Sequence, residues 1–260
     1  MRLVSTASML ALLCAGAPLA ALTQPAFAQT TAPAPERDPA AIAALERMGA
    51  HLRTLTTFGV AGDITSEEVL ETGQSISYPG AIDMVVRRPD RLRANLDSSR
   101  KRRQYFYDGH TLTVYAPRQG FYTSVDAPPT IQGMLDVASE RLNLVLPLSD
   151  MFELGVNPAL TSRITSGFLV GIEAVDDQTC EHYAFRQPGI DWEIWIAEGD
   201  APLPCMYRIT SLEDPSRPDY IVRLTWTLAP VITDDTFTFV APEGADRIPA
   251  AMARTQRAQQ

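Results

Sequence analysis

Hydrophobic and polar residues alternate over most of this chain, and the alternation predicts an antiparallel β-sheet. The two-residue period places apolar side chains on one face of several segments, for example at Ile82, Met84, Val86, Trp192, Ile194 and Ile196. We predict strands over 57–71, 74–87, 91–97, 102–107, 111–116 and 121–126, and again over 164–174, 180–187, 191–197, 205–211, 219–229 and 236–240. Short turns between the strands leave no room for parallel crossovers, which excludes the nucleotide-binding α/β folds.

Helical patterns occur before the first strand and in the middle of the chain. Asp38-Pro39 gives an N-cap aspartate followed by proline at the first helical position, and apolar residues recur at helical spacing as far as Leu55. We predict a second helix over Ile131 to Leu142, a short third over 147–154, and a further turn at Asn157-Pro158. The expected fold class is α+β: one large, strongly curved antiparallel sheet of about eleven or twelve strands, forming an unclosed half-barrel with helices packed in its concave face.

The N-terminus has the features of a secretory signal peptide. Met1-Arg2 precedes an apolar stretch, and Ala26-Phe27-Ala28 is a small-x-small cleavage site, so we predict a signal peptide over 1–28 cleaved after Ala28. Cys14 fits a lipoprotein signal poorly, which favours a soluble periplasmic protein over a lipid-anchored one. We expect a disordered leader over 29–37, one domain over 38–248 with a helical insertion at about 128–162, and a disordered tail over 249–260.

The charge of the chain bears on its partners. The formal net charge is −9, so an acidic exported protein of this kind is not expected to bind nucleic acid. Arg100, Lys101, Arg102 and Arg103 form a basic run against this acidic background. The run is either a solvated turn whose long side chains cover a sheet edge, or a docking patch for anionic headgroups or an acidic partner.

Two cysteines remain after signal cleavage, Cys180 and Cys205. A disulfide between them is expected in an oxidising compartment. In a simple meander, however, they would begin two strands that flank a third, about 9.5 Å apart and beyond disulfide reach. A bulge or a loop start could bring them closer. Redox catalysis is not expected, because the chain has no Cys-x-x-Cys motif.

The sequence shows no catalytic constellation. His51, His110 and His182 fall on three separate predicted elements and at no metal-ligand spacing. Neither a Gly-x-Ser-x-Gly elbow nor a phosphate-binding loop occurs. His182 could be an acid–base group with Asp191 and Glu193 across a hairpin, but a strand histidine in an ordinary hydrogen bond is the commoner case. We therefore expect no enzyme activity, no cofactor and no metal site.

Several turn and strand-start motifs resemble those of a known superfamily. An Arg-Pro-x-x-Leu-Arg turn at Arg88–Arg93, an Asp108-Gly109 turn and Tyr115-Ala116-Pro117 are similar to the LolA/LolB-like (LppX-like) superfamily of lipoprotein and lipid carriers. More closely, the chain resembles an exported family filed as domain of unknown function 2092. The motifs of that family are at Tyr107–Gly109, Ala127–Pro129, Cys180–Gly189, Asp191–Ile196 and Pro202–Pro204. The resemblance covers the chain from about Asp38 to Ile248.

The resemblance implies a non-catalytic protein that holds a lipid or a lipoprotein acyl chain in a half-barrel cavity. The candidate cavity residues are flexible or aromatic and lie on the predicted insertion and strands: Met134, Leu135, Met151, Phe152, Trp192 and Trp226. For each of them ordinary core packing is the alternative, and it is the commoner role of such residues. The expected partners are a lipid or lipidated protein, with envelope proteins or an anionic membrane surface as further classes. The alternative is an envelope protein–protein interaction or sensing module on the same fold, without lipid cargo.

Overall fold

The computed structural model describes residues 37–153 and 157–250, which form one sheet with four helices and a 3-10 helix. The strands are β1 (Thr57–Val69), β2 (Ser75–Arg87), β3 (Arg91–Ser98), β4 (Arg102–Tyr107), β5 (Thr111–Ala116), β6 (Phe121–Asp126), β7 (Ser166–Val175), β8 (Gln178–Gln187), β9 (Ile190–Ala197), β10 (Pro204–Ser211), β11 (Asp219–Thr227) and β12 (Asp246–Arg247). The helices are α1 (Pro39–Thr54), α2 (Ile131–Leu142), α3 (Asp150–Glu153) and α4 (Pro158–Ser162), and the 3-10 helix spans Asp234–Phe237.

The strand order is β12-β6-β5-β4-β3-β2-β1-β11-β10-β9-β8-β7. Every neighbouring pair is antiparallel except β12–β6, which is parallel. The two outermost strands, β12 and β7, do not pair with each other, so the sheet is unclosed. The predicted α+β class and the unclosed antiparallel sheet are confirmed.

One face of the sheet, called the inner face here, packs against the helices. A single hydrophobic core joins strand residues such as Val60, Met84 and Leu92 to Met48 of α1 and Met134 of α2. The alternation predicted for β2 is present, since Ile82, Met84 and Val86 are buried on this face. Burial of this apolar surface is the main stabilising contribution to the fold.

The helices begin at capping residues. The Asp38 carboxylate accepts a hydrogen bond from the Ala40 N–H at 2.8 Å and starts α1, as predicted. The Thr130 hydroxyl accepts from the Gly133 N–H at 3.0 Å and starts α2, while the Tyr107 hydroxyl donates to the Pro128 carbonyl. These bonds fix the beginning of the helical insertion against the β4 end of the sheet.

The segment predicted as a strand over 236–240 is not one. Residues 234–237 form the 3-10 helix, and the segment 228–250, called the C-terminal strap here, crosses the outer face. Phe237 is fully buried beneath the Arg87 guanidinium, and the Phe239 ring lies 4.9 Å from that of Tyr122. The apolar alternation that suggested a strand therefore reflects side-chain burial without strand pairing. The last strand is instead β12, which pairs with β6.

Cys180 and Cys205 form a disulfide, with their Cα atoms 6.9 Å apart. β9 does lie between β8 and β10, as the objection from the sequence assumed. The β9–β10 register shifts between Pro204 and Met206, so Cys205 sits at a bulge. The bulge breaks the regular strand spacing and allows the bond to form on the outer face, where Val175 and Trp195 pack against it.

Several predictions concern residues outside the described part of the chain. They are the signal peptide over 1–28, the leader as far as residue 36, the end of the third helix at Leu154, and the tail from residue 251. Within the described part, Arg37 forms a parallel bridge with Gly167 of β7.

Candidate functional site

A cavity of about 140 Å³ lies between the helical insertion and the inner face of β8–β10. Its insertion side is formed by residues of α3, α4 and their flanks, namely Leu148, Asp150, Met151, Leu160, Thr161 and Ile164. Its sheet side is formed by Gln187, Ile190, Trp192, Ile194, Tyr207 and Ile209. The lining is mainly aliphatic and aromatic, which is the character of a site for an apolar group.

The strand register brings the sheet residues of the cavity together. Trp192 is paired with Ile209 and Ile194 with Tyr207 across β9 and β10. Because side chains on paired residues share a face, these four form one continuous apolar wall. The Trp192 ring also stacks on Phe185 of β8, with ring centroids 4.4 Å apart, which holds the indole in place.

Trp192, Asp150 and Tyr207 add polar groups to this wall, besides those of Thr161 and Gln187. The Trp192 indole N–H is buried, and no hydrogen-bond acceptor is found for it among the described residues. Asp150 is an exposed residue of α3 that also lines the cavity. Tyr207 lies beside Tyr220, with ring centroids 6.1 Å apart.

Electrostatic interactions link Asp150 to the tyrosines. Desolvation by the surrounding protein atoms raises the pKa of the Asp150 carboxyl, and the charge of Glu153 adds to the rise. Burial raises the pKa of both the Tyr207 and Tyr220 hydroxyls, with a further contribution from the charge of Asp150. The tyrosine hydroxyls therefore remain protonated donors, and the carboxylate is the one anionic group of the cavity lining.

Of the six predicted cavity residues, two line this cavity and four pack in or against the hydrophobic core. Met151 and Trp192 line the cavity. Met134 and Leu135 are buried in the main core on α2. Phe152 and Trp226 both pack on Phe58, with ring centroids 6.4 and 5.7 Å from it. Whether any of the six contacts a ligand stays a prediction.

The other lining residues were not identified from the sequence. Tyr207 and Ile209 carried a usable signal, since they alternate with outward-facing residues on β10. Leu160 and Ile164 carried none, because their position depends on how the insertion returns over the sheet.

The basic run at 100–103 is partly neutralised. Arg100 forms an ion pair with Glu68 at 3.1 Å, and Arg102 forms one with Asp97 at 2.5 Å. The Arg103 guanidinium donates to the side-chain oxygen of Gln119 at 3.2 Å. The two ion pairs lower the net positive charge of this surface, and its role as a docking patch stays a prediction.

His182 lies on the outer face and is held by its neighbours. Its Nδ1 is 3.1 Å from Glu173, and its ring stacks on Trp195 with centroids 3.9 Å apart. The pKa of Glu173 is lowered, first by the hydrogen bond that the Trp195 indole N–H donates and then by that from His182. Glu193 is 3.9 Å from Nε2, whereas Asp191 is not a partner of His182. His182 therefore makes a hydrogen bond to the adjacent strand β7 through Nδ1, while its buried Nε2 has no hydrogen-bond partner among the described residues.

Asp191 and Asp219 instead pair with arginines. Asp191 accepts hydrogen bonds from Arg186 at 2.6 Å and from Arg217 at 2.9 Å, and these, the bond from Arg186 foremost, lower the pKa of its carboxyl. Desolvation alone would raise the pKa of the Asp219 carboxyl. Hydrogen bonds from Arg208 and Thr210 outweigh this effect, so the pKa is lowered. The folded state therefore stabilises the ionised form of both carboxyl groups.

Two kinds of feature are absent from the described part of the chain. Within residues 37–153 and 157–250, no group of three or more histidine, cysteine or acidic side chains is placed to hold a metal ion. None of the helices described for this chain has both the length and the apolar character required to span a bilayer.

Comparison with solved structures gives distant likenesses. LppX, a lipoprotein of Mycobacterium tuberculosis, is similar over 75% of this chain and 98% of its own, at 16% identity and a TM-score of 0.47. LprF of Mycobacterium bovis is similar over 81% and 100%, at 13% identity and 0.42. The MucA/MucB complex of Pseudomonas aeruginosa contains a chain similar over 78% and 62%, at 15% identity and 0.40. No curated protein matches the chain significantly.

The fold and the cavity define an α+β protein built on one unclosed sheet, with an apolar space between the sheet and a helical insertion. The chain belongs to the family described as predicted periplasmic protein (DUF2092), whose family model matches residues 41–251. The family membership inferred from the sequence motifs is thus confirmed.

Proposed function

We propose that this protein binds an apolar ligand, a lipid or a lipoprotein acyl chain, in the cavity between α3–α4 and β8–β10, and that it does so without catalysis. The observation that carries the proposal is the aliphatic and aromatic wall described above, which borders an unfilled space beside the hydrophobic core. An unfilled apolar space forfeits packing contacts, so a ligand that fills it is stabilised.

The size of the cavity limits what it can hold in this conformation. An engineered apolar cavity of about 150 Å³ accepts benzene, so about 140 Å³ accommodates roughly six carbons. At about 0.8 kcal/mol per buried methylene, six carbons contribute roughly 5 kcal/mol. That is comparable with the cost of association, about 4–15 kcal/mol, so the cavity as it stands supports only weak binding.

Binding a complete acyl chain therefore requires the insertion to move away from the sheet. A chain of about 14 carbons would contribute roughly 11 kcal/mol. The helices over this cavity are α3 and α4, of four and five residues, which is too short for independent helix stability. We infer that these helices shift to enlarge the cavity when the chain enters.

Substitution of a lining residue tests the site. Leu160→Trp places a larger ring against the cavity from α4, and we expect it to weaken binding of Nile red, a neutral apolar dye, by at least about fivefold. Val145→Trp is the matched control, because Val145 belongs to the same insertion but is 77% exposed and does not line the cavity. Equal affinities for the two variants would contradict the proposed site.

Mass spectrometry tests the function itself. The protein is expressed with its N-terminal 28 residues, purified gently from the periplasm, and measured in native and denaturing spectra. We expect extra mass in the native spectrum that extracts into organic solvent. A ligand-free mass, combined with no binding of Nile red, would contradict the proposal.

A second candidate function, an envelope protein–protein interaction, is supported by the edge strand β7. Phe168, Leu169, Val170 and Ile172 are 40–61% exposed there, and among the described residues only Arg37 pairs with the open edge. An exposed apolar edge can add a strand from a partner. A photo-crosslinking residue at position 172 should then give a discrete adduct with an envelope protein in cells, while one at position 145 should not. Identical patterns from both positions would contradict this candidate.

A further inference from the structure

A second concave site lies on the side of the sheet opposite the apolar cavity. It is a groove of about 340 Å³ between the outer face of β4–β6 and the C-terminal strap. The strand register builds its floor: Phe106 is paired with Thr113, and Thr113 with Ser124, so these three side chains form a row on the outer face. Phe239 of the strap packs on Phe106, with ring centroids 5.3 Å apart, and also lines the groove. The groove thus exists only because the strap returns over the sheet.

The lining of this groove is rich in hydroxyl groups, unlike that of the apolar cavity. The Thr113 and Ser124 hydroxyls are 2.9 Å apart and hydrogen-bonded to each other. Thr111 and Tyr122 lie on the same face, each two residues along its strand from one of these. For the Thr111 and Tyr122 hydroxyls the described residues offer no hydrogen-bond partner. Hydroxyl groups both donate and accept, so this surface can bind a ligand group of either kind.

The two charged residues of the lining are opposite in sign. At the β4–β5 turn, Asp108 Oδ1 accepts hydrogen bonds from the His110 and Thr111 N–H groups at 3.0 and 2.8 Å, which fix the carboxylate. Arg247 of β12 is paired with Tyr122 of β6, so it lies at the other end of the groove. One negative and one positive charge leave the lining without net charge, so a strongly charged ligand is not favoured.

From this combination we propose that the groove binds a neutral sugar ring. A pyranose has C–H faces that pack on aromatic rings and a rim of hydroxyls that donate and accept hydrogen bonds. The groove offers both kinds of contact, with the Tyr122 and Phe239 rings beside the hydroxyls of Thr111, Thr113 and Ser124. The inference goes beyond the proposed function, because it concerns another class of ligand on the opposite face of the sheet.

The size of the groove suits one sugar ring. Since a cavity of about 150 Å³ accepts benzene, about 340 Å³ accommodates roughly 13 non-hydrogen atoms, and a hexose has about 12. The groove is also open to solvent on one side. A single ring therefore fills it, and further units of a longer sugar chain would lie in solvent.

The experiment titrates the full exported chain with glucose, galactose, mannose and N-acetylglucosamine, and follows the heat of binding and the amide resonances. We expect at least one sugar to bind with a Kd of about 1 mM or tighter and to shift the Thr113 and Ser124 resonances. Ala241→Trp, which fills the groove from the strap, should weaken this binding at least about tenfold. Val240→Trp is the matched control, because Val240 is the adjacent strap residue but is 80% exposed and does not line the groove. It should change the affinity by less than about twofold.

A second pair of variants tests the hydroxyls without changing the ring packing. Tyr122→Phe removes a hydroxyl from the groove and keeps the ring on Phe239, so sugar binding should weaken by about threefold or more. Tyr115→Phe is its control, because the Tyr115 ring also packs on Phe239 but does not line the groove. Nile red distinguishes the two sites: Ala241→Trp should leave its affinity unchanged, and Leu160→Trp should leave the sugar affinity unchanged.

Three results would overturn the inference and leave the proposed function intact. One is no heat and no resonance shift with any of the four sugars at about 10 mM. The others are equal losses of affinity within either variant pair, and a sugar affinity lowered by Leu160→Trp. Thermal melts check that each variant is folded, and if Ala241→Trp does not fold, the Tyr122→Phe pair decides. Loss of Nile red binding together with a lipid-free native spectrum would instead contradict only the proposed function.

Discussion

The disulfide between Cys180 and Cys205 allows a quantitative prediction of stability. It closes a loop with a sequence separation of 25 residues. In the chain-entropy description, constraining such a loop in the unfolded state stabilises the fold by about 3.5 kcal/mol. The double substitution Cys180→Ala/Cys205→Ala should lower the free energy of unfolding by that amount. For a domain of this size the melting temperature should fall by about 7–14 °C.

The assay is equilibrium unfolding in urea, with the free energy obtained by linear extrapolation. The unmodified protein is measured with and without dithiothreitol, and the double variant serves as the control under both conditions. We expect dithiothreitol to bring the unmodified protein to the stability of the variant and to leave the variant unchanged. Both sulfurs lie on buried residues, so reduction should be complete only when the chain unfolds.

Two outcomes would refute this reasoning. A loss below about 1 kcal/mol would show that the unfolded chain gains little freedom when the bond is removed. An equal loss of stability in both proteins on adding dithiothreitol would show that the reductant acts elsewhere. A third comparison tests the link to function: binding of Nile red should persist in the double variant, because the disulfide lies on the outer face and the cavity on the inner one.

Three further predictions concern stability. The pKa values of Asp191 and Asp219 are lowered in the folded state, so their ionised carboxylates stabilise the fold at pH values above the unfolded-state pKa of about 3.9. This stabilisation is lost as the pH falls through the folded-state pKa values. Urea unfolding across pH 2–7 should therefore show the free energy of unfolding declining below about pH 4. Tyr107→Phe should cost about 0.5–1.5 kcal/mol in urea unfolding, because the Pro128 carbonyl loses the hydroxyl donor and keeps the Thr130 N–H. Gly167→Ala should lower the melting temperature, because a Cβ there would lie 2.5 Å from the Phe185 ring.

Each of these predictions has a control that isolates its cause. Asp219→Asn should flatten the acid decline, and an unchanged slope would contradict the assignment. Tyr122→Phe removes a hydroxyl for which no hydrogen bond is found in the described part of the chain, and a loss equal to that of Tyr107→Phe would argue against the carbonyl contact. Gly171 lies on the same strand, and a Cβ added there would have no atom within 4 Å, so Gly171→Ala should leave the melting temperature nearly unchanged.

Most of the sheet could be predicted because its signal is local. In β2 the alternation at Ile82, Met84 and Val86 follows directly from burial of one face, and the turn residues fix the strand ends. The same logic failed at Phe237 and Phe239. Both are packed on the outer face, so they alternate as a strand would, yet their backbone has no partner strand. A hydrophobic pattern indicates which side chains are buried, but it does not indicate whether the backbone pairs with a neighbouring strand.

The cavity was harder to predict because it depends on long-range placement. Met151 and Trp192 were identified by residue type, and Phe152, although adjacent to Met151, packs on Phe58 instead. A one-residue step along a helix changes which surface a side chain meets, and no local pattern contains that information. The bulge at Cys205 is a similar case, since a single displaced residue decides whether two cysteines can reach each other.

The first strand of this sheet lies at its middle, between β2 and β11. Strands β1–β6 can pair in order as the chain is synthesised, since each neighbour is only a short turn away. One edge of β1, however, has no partner until β11 has emerged, near the end of the chain. Closing so long a loop is slow compared with hairpin formation. Newly made molecules therefore pass through a period in which the half-sheet β1–β6 has an unpaired edge at β1. Aggregation competes with folding most strongly until β11 pairs with that edge.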